Sequence, residues 1–266
     1  MNKIFTQLQK IKEEKRIGIM THIVLGYPTS EESMKLVKVM AEVGVDFIEL
    51  QIPFSDPLGD GPTIMKANHE ALKAGMTVDK AFEAAAELVR AYGHTPLLLM
   101  TYYQIVFRRG VKKFCENAAG AGAQGLIIPD VPVDEEGCDH FFSTAKSAGL
   151  VPMKFLSMVS TDERVGKVLE EGDFLYLFGQ KGTTGARSTL HEDLEKNFKR
   201  IKAIKNVPTA VGFGISKPEH IKELKQIGAD VAIIGSAVLN VYNEAPPGKG
   251  VDKVREYLQI LVEAAC

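Results

Sequence analysis

One pattern of polar and apolar positions recurs along the chain. An amphipathic stretch ends at a glycine or asparagine, and a short apolar run follows at once. The stops are Gly44, Gly93, Gly122, Gly149, Gly172, Asn206 and Gly228. Glycine and asparagine tolerate the left-handed backbone that closes a helix. The runs after them are VDFIELQIP (45–53), TPLLLMTYY (95–103), AQGLIIPD (123–130), VPMKFLS (151–157), FLYLFG (174–179), VPTAVGFG (207–214) and VAIIGSA (231–237). GIMTHIVLG (18–26) stands ahead of them and makes eight. The runs are nearly continuous in apolar residues rather than alternating, which is the pattern of strands covered on both faces in a parallel sheet.

The segments between the runs predict helices. Thr29-Ser30-Glu31-Glu32 has capping-box spacing, with Thr29 as the cap and Glu32 reaching back. Leu36, Met40 and Val43 then recur at i, i+4 and i+7. VDKAFEAAAELVRAY (78–92) and HIKELKQIG (220–228) behave the same way. Eight strand–helix units predict a (β/α)8 TIM barrel, as a single domain over residues 1–266. MNKIFTQLQKIKEEKR adds an N-terminal amphipathic helix, and VDKVREYLQILVEAAC reads as a core-facing helix at the other end. The competing architecture is a doubly wound open sheet, which usually carries a dinucleotide signature after its first strand. LGYPTS follows the first run here, with no GxGxxG.

Composition narrows the classes. A chain of 266 residues buries a large core without staples. A net charge of −2 leaves no nucleic-acid footprint. No apolar run approaches the roughly 20 residues of a membrane span, and the N-terminus has no apolar signal core. Three widely spaced cysteines make neither a metal spacing nor an even disulfide set, which favours a reducing compartment. The expectation is a cytoplasmic protein, or an organellar one such as a plastid stromal protein if a transit peptide has been removed. The six histidines form no HxH or HExxH pair, so no metal site is expected. His22 lies in the first strand and faces the interior on this reading; His69, His94, His140, His191 and His220 read as surface residues.

Barrel active sites lie at the C-terminal ends of the strands. The second run ends in ELQIPFSDPLGDGPTI (49–64), an acidic loop stiffened by proline. Glu49 shares a strand face with Phe47 and Gln51. Desolvation inside a barrel favours the neutral form of a carboxylate and suits it to proton transfer. The alternative is a buried glutamate held by a nearby cation. Asp56 fits turn chemistry. Asp60 precedes Gly61-Pro62 and a helical stretch, so it serves either the turn or, returned over the mouth, a site near Glu49. GTTGARS (182–188), GFGIS (212–216) and IGSAV (234–238) follow three adjacent strands. Free backbone N–H groups with a helix start behind them bind a phosphate dianion, and the loops after strands 7 and 8 are the usual phosphate site in this fold. GQKGTTGARSTL (179–190) reads as a mobile lid or as an ordinary exposed loop, with Lys181 and Arg187 as candidate anion contacts.

These segments together resemble the tryptophan synthase alpha chain family. ELQIPFSDPLGDGPTI matches that family's E-L-G-I-P-F-S-D-P-x-A-D-G-P signature, and STDER (160–164), GTTGAR, VGFGIS and IGSAV follow in the same order. The resemblance implies a (β/α)8 barrel that cleaves indole-3-glycerol phosphate to indole and glyceraldehyde 3-phosphate by a retro-aldol step, with no cofactor. It implies Glu49 as the general acid/base and Asp60 as the carboxylate on the indole N–H. Tyr176 matches an active-site tyrosine, and Thr184 a lid threonine that meets Asp60 on closure. Gly185, Gly214, Gly235 and Ser236 match phosphate contacts. Ile64, Met100, Tyr102, Phe213 and Ile233 match the indole pocket. The implied partner is a beta subunit in an α2β2 assembly, reached by the loop after the second strand and by residues 103–107. Several positions depart from the pattern. Gln51 stands for glycine, and His22 for an apolar or aromatic residue. GQKGTTG replaces the usual lid, Met158-Val159 replaces Pro-Thr, and Gln104-Ile105 replaces Asn-Pro. They keep open a stand-alone lyase, a related phosphate-binding aldolase, and a weakly catalytic activator of the beta subunit.

Overall fold

The computed structural model describes residues 2–131, 140–170, 172–179, 187–212 and 214–266, the side chains of 187–193 excepted. Among them are nine strands: β1 (Gly18–Val24), β2 (Phe47–Gln51), β3 (Leu97–Met100), β4 (Gly125–Ile127), β5 (Val151–Pro152), β6 (Lys154–Ser157), β7 (Leu175–Phe178), β8 (Thr209–Gly212) and β9 (Val231–Ile234). They form one parallel sheet in the order β5-β4-β3-β2-β1-β9-β8-β7-β6. The fifth apolar run is divided at Met153. Met153 N–H donates to Leu126 O beside β4, and Lys154 N–H donates to Phe174 O beside β7. One path of chain thus takes a neighbour on each side and closes an eight-position barrel.

Twelve helices accompany the strands among the described residues: α1 (Lys3–Glu13), α2 (Ser30–Glu42), α3 (Pro62–Lys73), α4 (Val78–Tyr92), α5 (Tyr103–Arg109), α6 (Val111–Gly120), α7 (Phe141–Ser147), α8 (Asp162–Glu170), α9 (Arg187–Ile204), α10 (Pro218–Ile227), α11 (Ser236–Glu244) and α12 (Gly250–Ala265). Thr29 caps α2 as expected, accepting from Glu32 N–H at 3.1 Å. The return half of the capping box is not made. The Glu32 carboxylate instead accepts from Tyr242 OH at 2.9 Å and pairs with Lys35 at 3.0 Å, where a phenol and a cation outbid a backbone amide. Gly44, Gly122, Gly149 and Gly228 are left-handed stops. Gly93 is not: its φ is −68°. A Cβ there would lie 2.5 Å from Val89 O, so close approach rather than handedness demands glycine. Gly172 and Asn206 also lie outside the left-handed region.

Strand alternation sorts the side chains. One face, with Ile19, Ile48, Leu50, Leu99 and Ile234, packs under the helices, where Val254, Leu258 and Leu261 of α12 join it. The other face fills the barrel with Met20, Phe47, Leu98, Met100, Phe174, Val231 and Ile233. Ile4, Leu8 and Ile11 of α1 belong to that inner cluster, so the N-terminal helix stoppers the base of the barrel. Asn2 fixes it there, donating from Nδ2 to Gln124 O at 2.9 Å and to Gly149 O at 3.0 Å.

Asp46, 2% exposed, ties the base together. It accepts from Ile19 N–H at 2.8 Å, Gln7 Nε2 at 2.6 Å, and the Arg16 guanidinium at 2.6 and 2.7 Å. Removing one member of a buried ion pair leaves an uncompensated charge, so Asp46→Ala is expected to lower the unfolding free energy by about 3–5 kcal/mol. Urea unfolding measures it; a loss within about 1 kcal/mol, the scale of an exposed pair, would show the pair to be dispensable.

His69, His94 and His140 are exposed, in line with the expectation for them. His220 is half-buried and its Nδ1 accepts from Ser216 N–H at 3.3 Å, so it braces the loop after β8 rather than standing free. The His191 side chain, Lys181 and the Arg187 side chain lie outside what the structure describes.

Candidate active site

The register of β1 on β2 sets His22 opposite Glu49. Both side chains enter the barrel near its C-terminal end, and each residue is 3% exposed. His22 Nδ1 lies 3.0 Å from Glu49 Oε1. Glu49 is thus a buried glutamate with a basic partner, as the alternative reading of it expected. One pleat further on, Gln51 donates from Nε2 to Asp60 Oδ2 at 2.8 Å. Asp60 reaches the mouth because its loop is tied down. Asp60 N–H donates to Pro57 O at 2.9 Å, Gly59 N–H donates to Tyr102 OH at 3.1 Å, and Pro62 starts α3 directly behind. Asp56 is exposed and accepts from Ser55 Oγ at 2.5 Å, which is the turn role.

Glu49, His22, Gln51 and Asp60 form one polar line across the mouth. Glu49 Oε2, His22 Nε2 and Gln51 Oε1 are buried and complete no hydrogen bond with the described residues. Such orphaned polar atoms are rare in native interiors and mark places that call for a function.

The charges along the line set one another. Burial, the largest single influence on His22, disfavours its charged form. The charge and hydrogen bond of Glu49, the charge of Asp60 and the adjacent Gln51 amide together outweigh it, and the imidazole is pushed above its ordinary 6.5. Burial raises Asp60 above its ordinary 3.8, with Glu49 adding to the rise; the charge of His22 and hydrogen bonds from Gln51 and Tyr102 oppose it. Tyr176 is pushed well above 10 by burial and then by Glu49 and Asp60, so it presents a neutral phenol to both carboxylates.

Apolar walls surround the line. Met100, Tyr102 and Ile233 are buried inside the barrel, and Ile64 approaches from α3. A Cβ at Gly235 would lie 3.8 Å from Ile64 Cδ1 and 4.0 Å from His22 Cβ, which joins the helix wall to the polar line. Tyr102 stacks on Phe54 at 5.3 Å, and Tyr176 stacks on Phe155 at 4.6 Å. The two phenylalanines were not foreseen. Phe155 had a signal, since it alternates with Met153 along the fifth run. Phe54 had none, since its ring finds Tyr102 across the mouth.

Gly235 caps α11 without a side-chain hydrogen bond, and Ser236 opens that helix. Gly214, left-handed at φ +66°, lies on the loop after the adjacent β8. An uncapped helix start has free N–H groups and suits an anion. The expected contacts Thr184, Gly185 and Phe213 lie outside the described residues. Among the described residues no group of three or more His, Cys, Asp or Glu could hold a metal ion, and no helix is long and apolar enough to cross a membrane. Leu58, in the loop after β2, is 89% exposed and Phe107 of α5 is 58% exposed. Tyr103, by contrast, turns inward against Phe141, with ring centroids 6.2 Å apart.

A barrel mouth with two carboxylates, a phenol, apolar walls and a helix start suits proton transfer on a flat apolar group that carries an anionic tail. The family model of the tryptophan synthase alpha chain matches residues 8–265. The chain belongs to the tryptophan synthase alpha chain family. The alpha chain of Methanosarcina acetivorans is 41% identical over 96% of this chain and 91% of its own length. That of Syntrophotalea carbinolica is 37% identical over 96% and 98%. Among solved structures, the alpha subunit of Legionella pneumophila superposes with a TM-score of 0.90 at 28% identity, covering 100% of this chain and 98% of the other. Tryptophan synthase from M. tuberculosis gives 0.88 at 26% identity, with 100% of both covered. Membership makes this chain a lyase of tryptophan synthesis.

Proposed function

We propose that the chain is a carbon–carbon lyase that cleaves indole-3-glycerol phosphate by retro-aldol chemistry, with Glu49 and Asp60 as its working carboxylates. The observation that carries this reading is the return of Asp60, through Gln51, to the same mouth as Glu49. Met100, Tyr102, Ile64 and Ile233 take the indole. Gly214, Gly235 and Ser236 take the phosphate, with Gly185 from the segment between β7 and α9. Tyr176, Thr184 and Phe213 complete the pocket.

The steps balance without a cofactor. A proton delivered by Glu49 to indole C3 leaves positive charge at the ring nitrogen, beside Asp60. Glu49 then takes the hydroxyl proton of the adjoining side-chain carbon. The O–H electrons form the aldehyde C=O, the C–C bond breaks, and its electrons return to the ring and cancel the nitrogen charge. Indole and glyceraldehyde 3-phosphate result. Exposed Leu58 and Phe107 support docking of a beta subunit on this face, in an α2β2 assembly.

Indole release from indole-3-glycerol phosphate, with and without an added beta subunit, tests both parts. Slow release that the partner accelerates is the expected result. Fast release without the partner would make the chain a stand-alone lyase, and no release in either condition would overturn the reading.

A further inference from the structure

We propose that His22 is the positioning residue of the proton-transfer step: it holds Glu49 through Nδ1 and supplies, across that hydrogen bond, the proton that Glu49 delivers to substrate. The inference rests on the lyase reading for its chemistry and on geometry for its pairing. His22 and Glu49 are register partners on adjacent strands, both buried, 3.0 Å apart. Glu49 Oε2 is left without a partner, as an acceptor inside the barrel. The pair exists in two forms related by one proton. Imidazolium with carboxylate becomes neutral imidazole with carboxylic acid when the shared proton crosses from Nδ1 to Oε1. The neutral pair has a proton to give to indole C3. The carboxylate left behind accepts the hydroxyl proton, and its return to Nδ1 restores the starting form, so the pair ends the cycle with the proton count it began with.

The surroundings are consistent with that role. Glu49 on β2 and Asp60 on the following loop face the ring with negative charge, and Gln51 beside it favours the charged form. Tyr176 on β7 and Tyr102 after β3 are phenols that stay neutral. From α3 and the turn between β9 and α11 the nearby groups are Ile64 and Gly235, which carry no charge. No cation is among these neighbours, so the pair's proton is held by Glu49 first and by Asp60 and Gln51 after it. Because His22 lies above its ordinary 6.5, the imidazolium persists to higher pH than that of a free histidine and is lost as pH rises through its raised value.

Two measurements test the assignment. The first is the pH dependence of single-turnover indole release in the wild type, His22→Phe and His22→Gln. Phe fits an apolar barrel wall and keeps the fold; Gln keeps a hydrogen-bond donor without a transferable proton. The wild type is expected to lose rate on the alkaline side as His22 deprotonates. Both variants are expected to lack that limb and to run roughly 10- to 100-fold slower in kcat, the scale of a reacting group held about 1 Å out of place, with KM little changed. The second is the titration of the His22 ring followed by nitrogen NMR in the wild type and in Glu49→Gln, which reads the pair without reference to activity. A ring that titrates above 6.5 in the wild type and lower in the variant is expected. If the ring titrates identically in both, or if His22→Phe keeps the wild-type rate and alkaline limb, the proposal fails. If the NMR result holds and no chain releases indole, the pairing stands while the proton-supply role and the lyase reading both fail.

Discussion

Glu49→Gln is expected to slow indole release by about 10³-fold or more, in the upper part of the range usual for a positioned acid or base. Glutamine keeps the shape of the side chain and both of its polar positions. It takes away the atom that gives and receives the proton, together with the charge that holds His22. The fold should survive, because His22, unlike the Arg16 partner of Asp46, can shed its proton once the carboxylate is gone and leave no uncompensated buried charge. Kinetics and thermal unfolding on the same preparation separate the two effects. A variant that folds normally and retains a rate within tenfold of the wild type would remove Glu49 from the chemistry.

Asp60→Asn is expected to cost about 10²–10³-fold in kcat, the scale of losing one group aimed at developing charge. The charge in question is the positive one that appears on the ring nitrogen after C3 is protonated. Stability should move the other way. Burial raises the Asp60 carboxyl above its ordinary 3.8, so the folded chain binds this proton more tightly than the unfolded chain does. The ionised carboxylate therefore destabilises the fold at neutral pH. That penalty is fully present above the raised value, shrinks as pH falls through it, and is gone below the ordinary value. Asparagine, which keeps an acceptor for Gln51, should raise the unfolding free energy at pH 7 and lose the advantage as the pH approaches 4. Urea unfolding at the two pH values reads the sign. A variant that is slower and no more stable at pH 7 would mean that the site does not strain Asp60, and an undiminished rate would end its charge-stabilising role.

What could be read from the chain followed its periodicities. Continuous apolar runs and polar helices between them are local signals, and they led to the barrel, to the stoppering helix and to the core-facing helix at the end. The partition of the fifth run at Met153 was not readable, because it depends on which neighbour each amide meets. Asp46 was hidden for a similar reason. It sits inside an apolar run, and its partners Gln7 and Arg16 lie 39 and 30 positions away. Within the site, Glu49 was legible as a carboxylate at a strand end, and His22 as an interior residue, but their pairing needed the register of β1 on β2. Asp60 could be read as a turn residue or as a residue of the mouth; that its loop returns to the mouth depends on the Gly59–Tyr102 hydrogen bond, a contact between distant positions. Gln51 was visible as a departure from glycine; that it holds Asp60 follows only from the distance between them.

The helix at the base of the barrel has a consequence for traffic. A vessel sealed at its floor fills and empties over its rim. On the proposed reading, substrate arrives, and an oily ring and a charged aldehyde depart, by way of the loops at the strand ends, past Leu58 and the start of α3. Whatever sits on that rim acts as a gatekeeper.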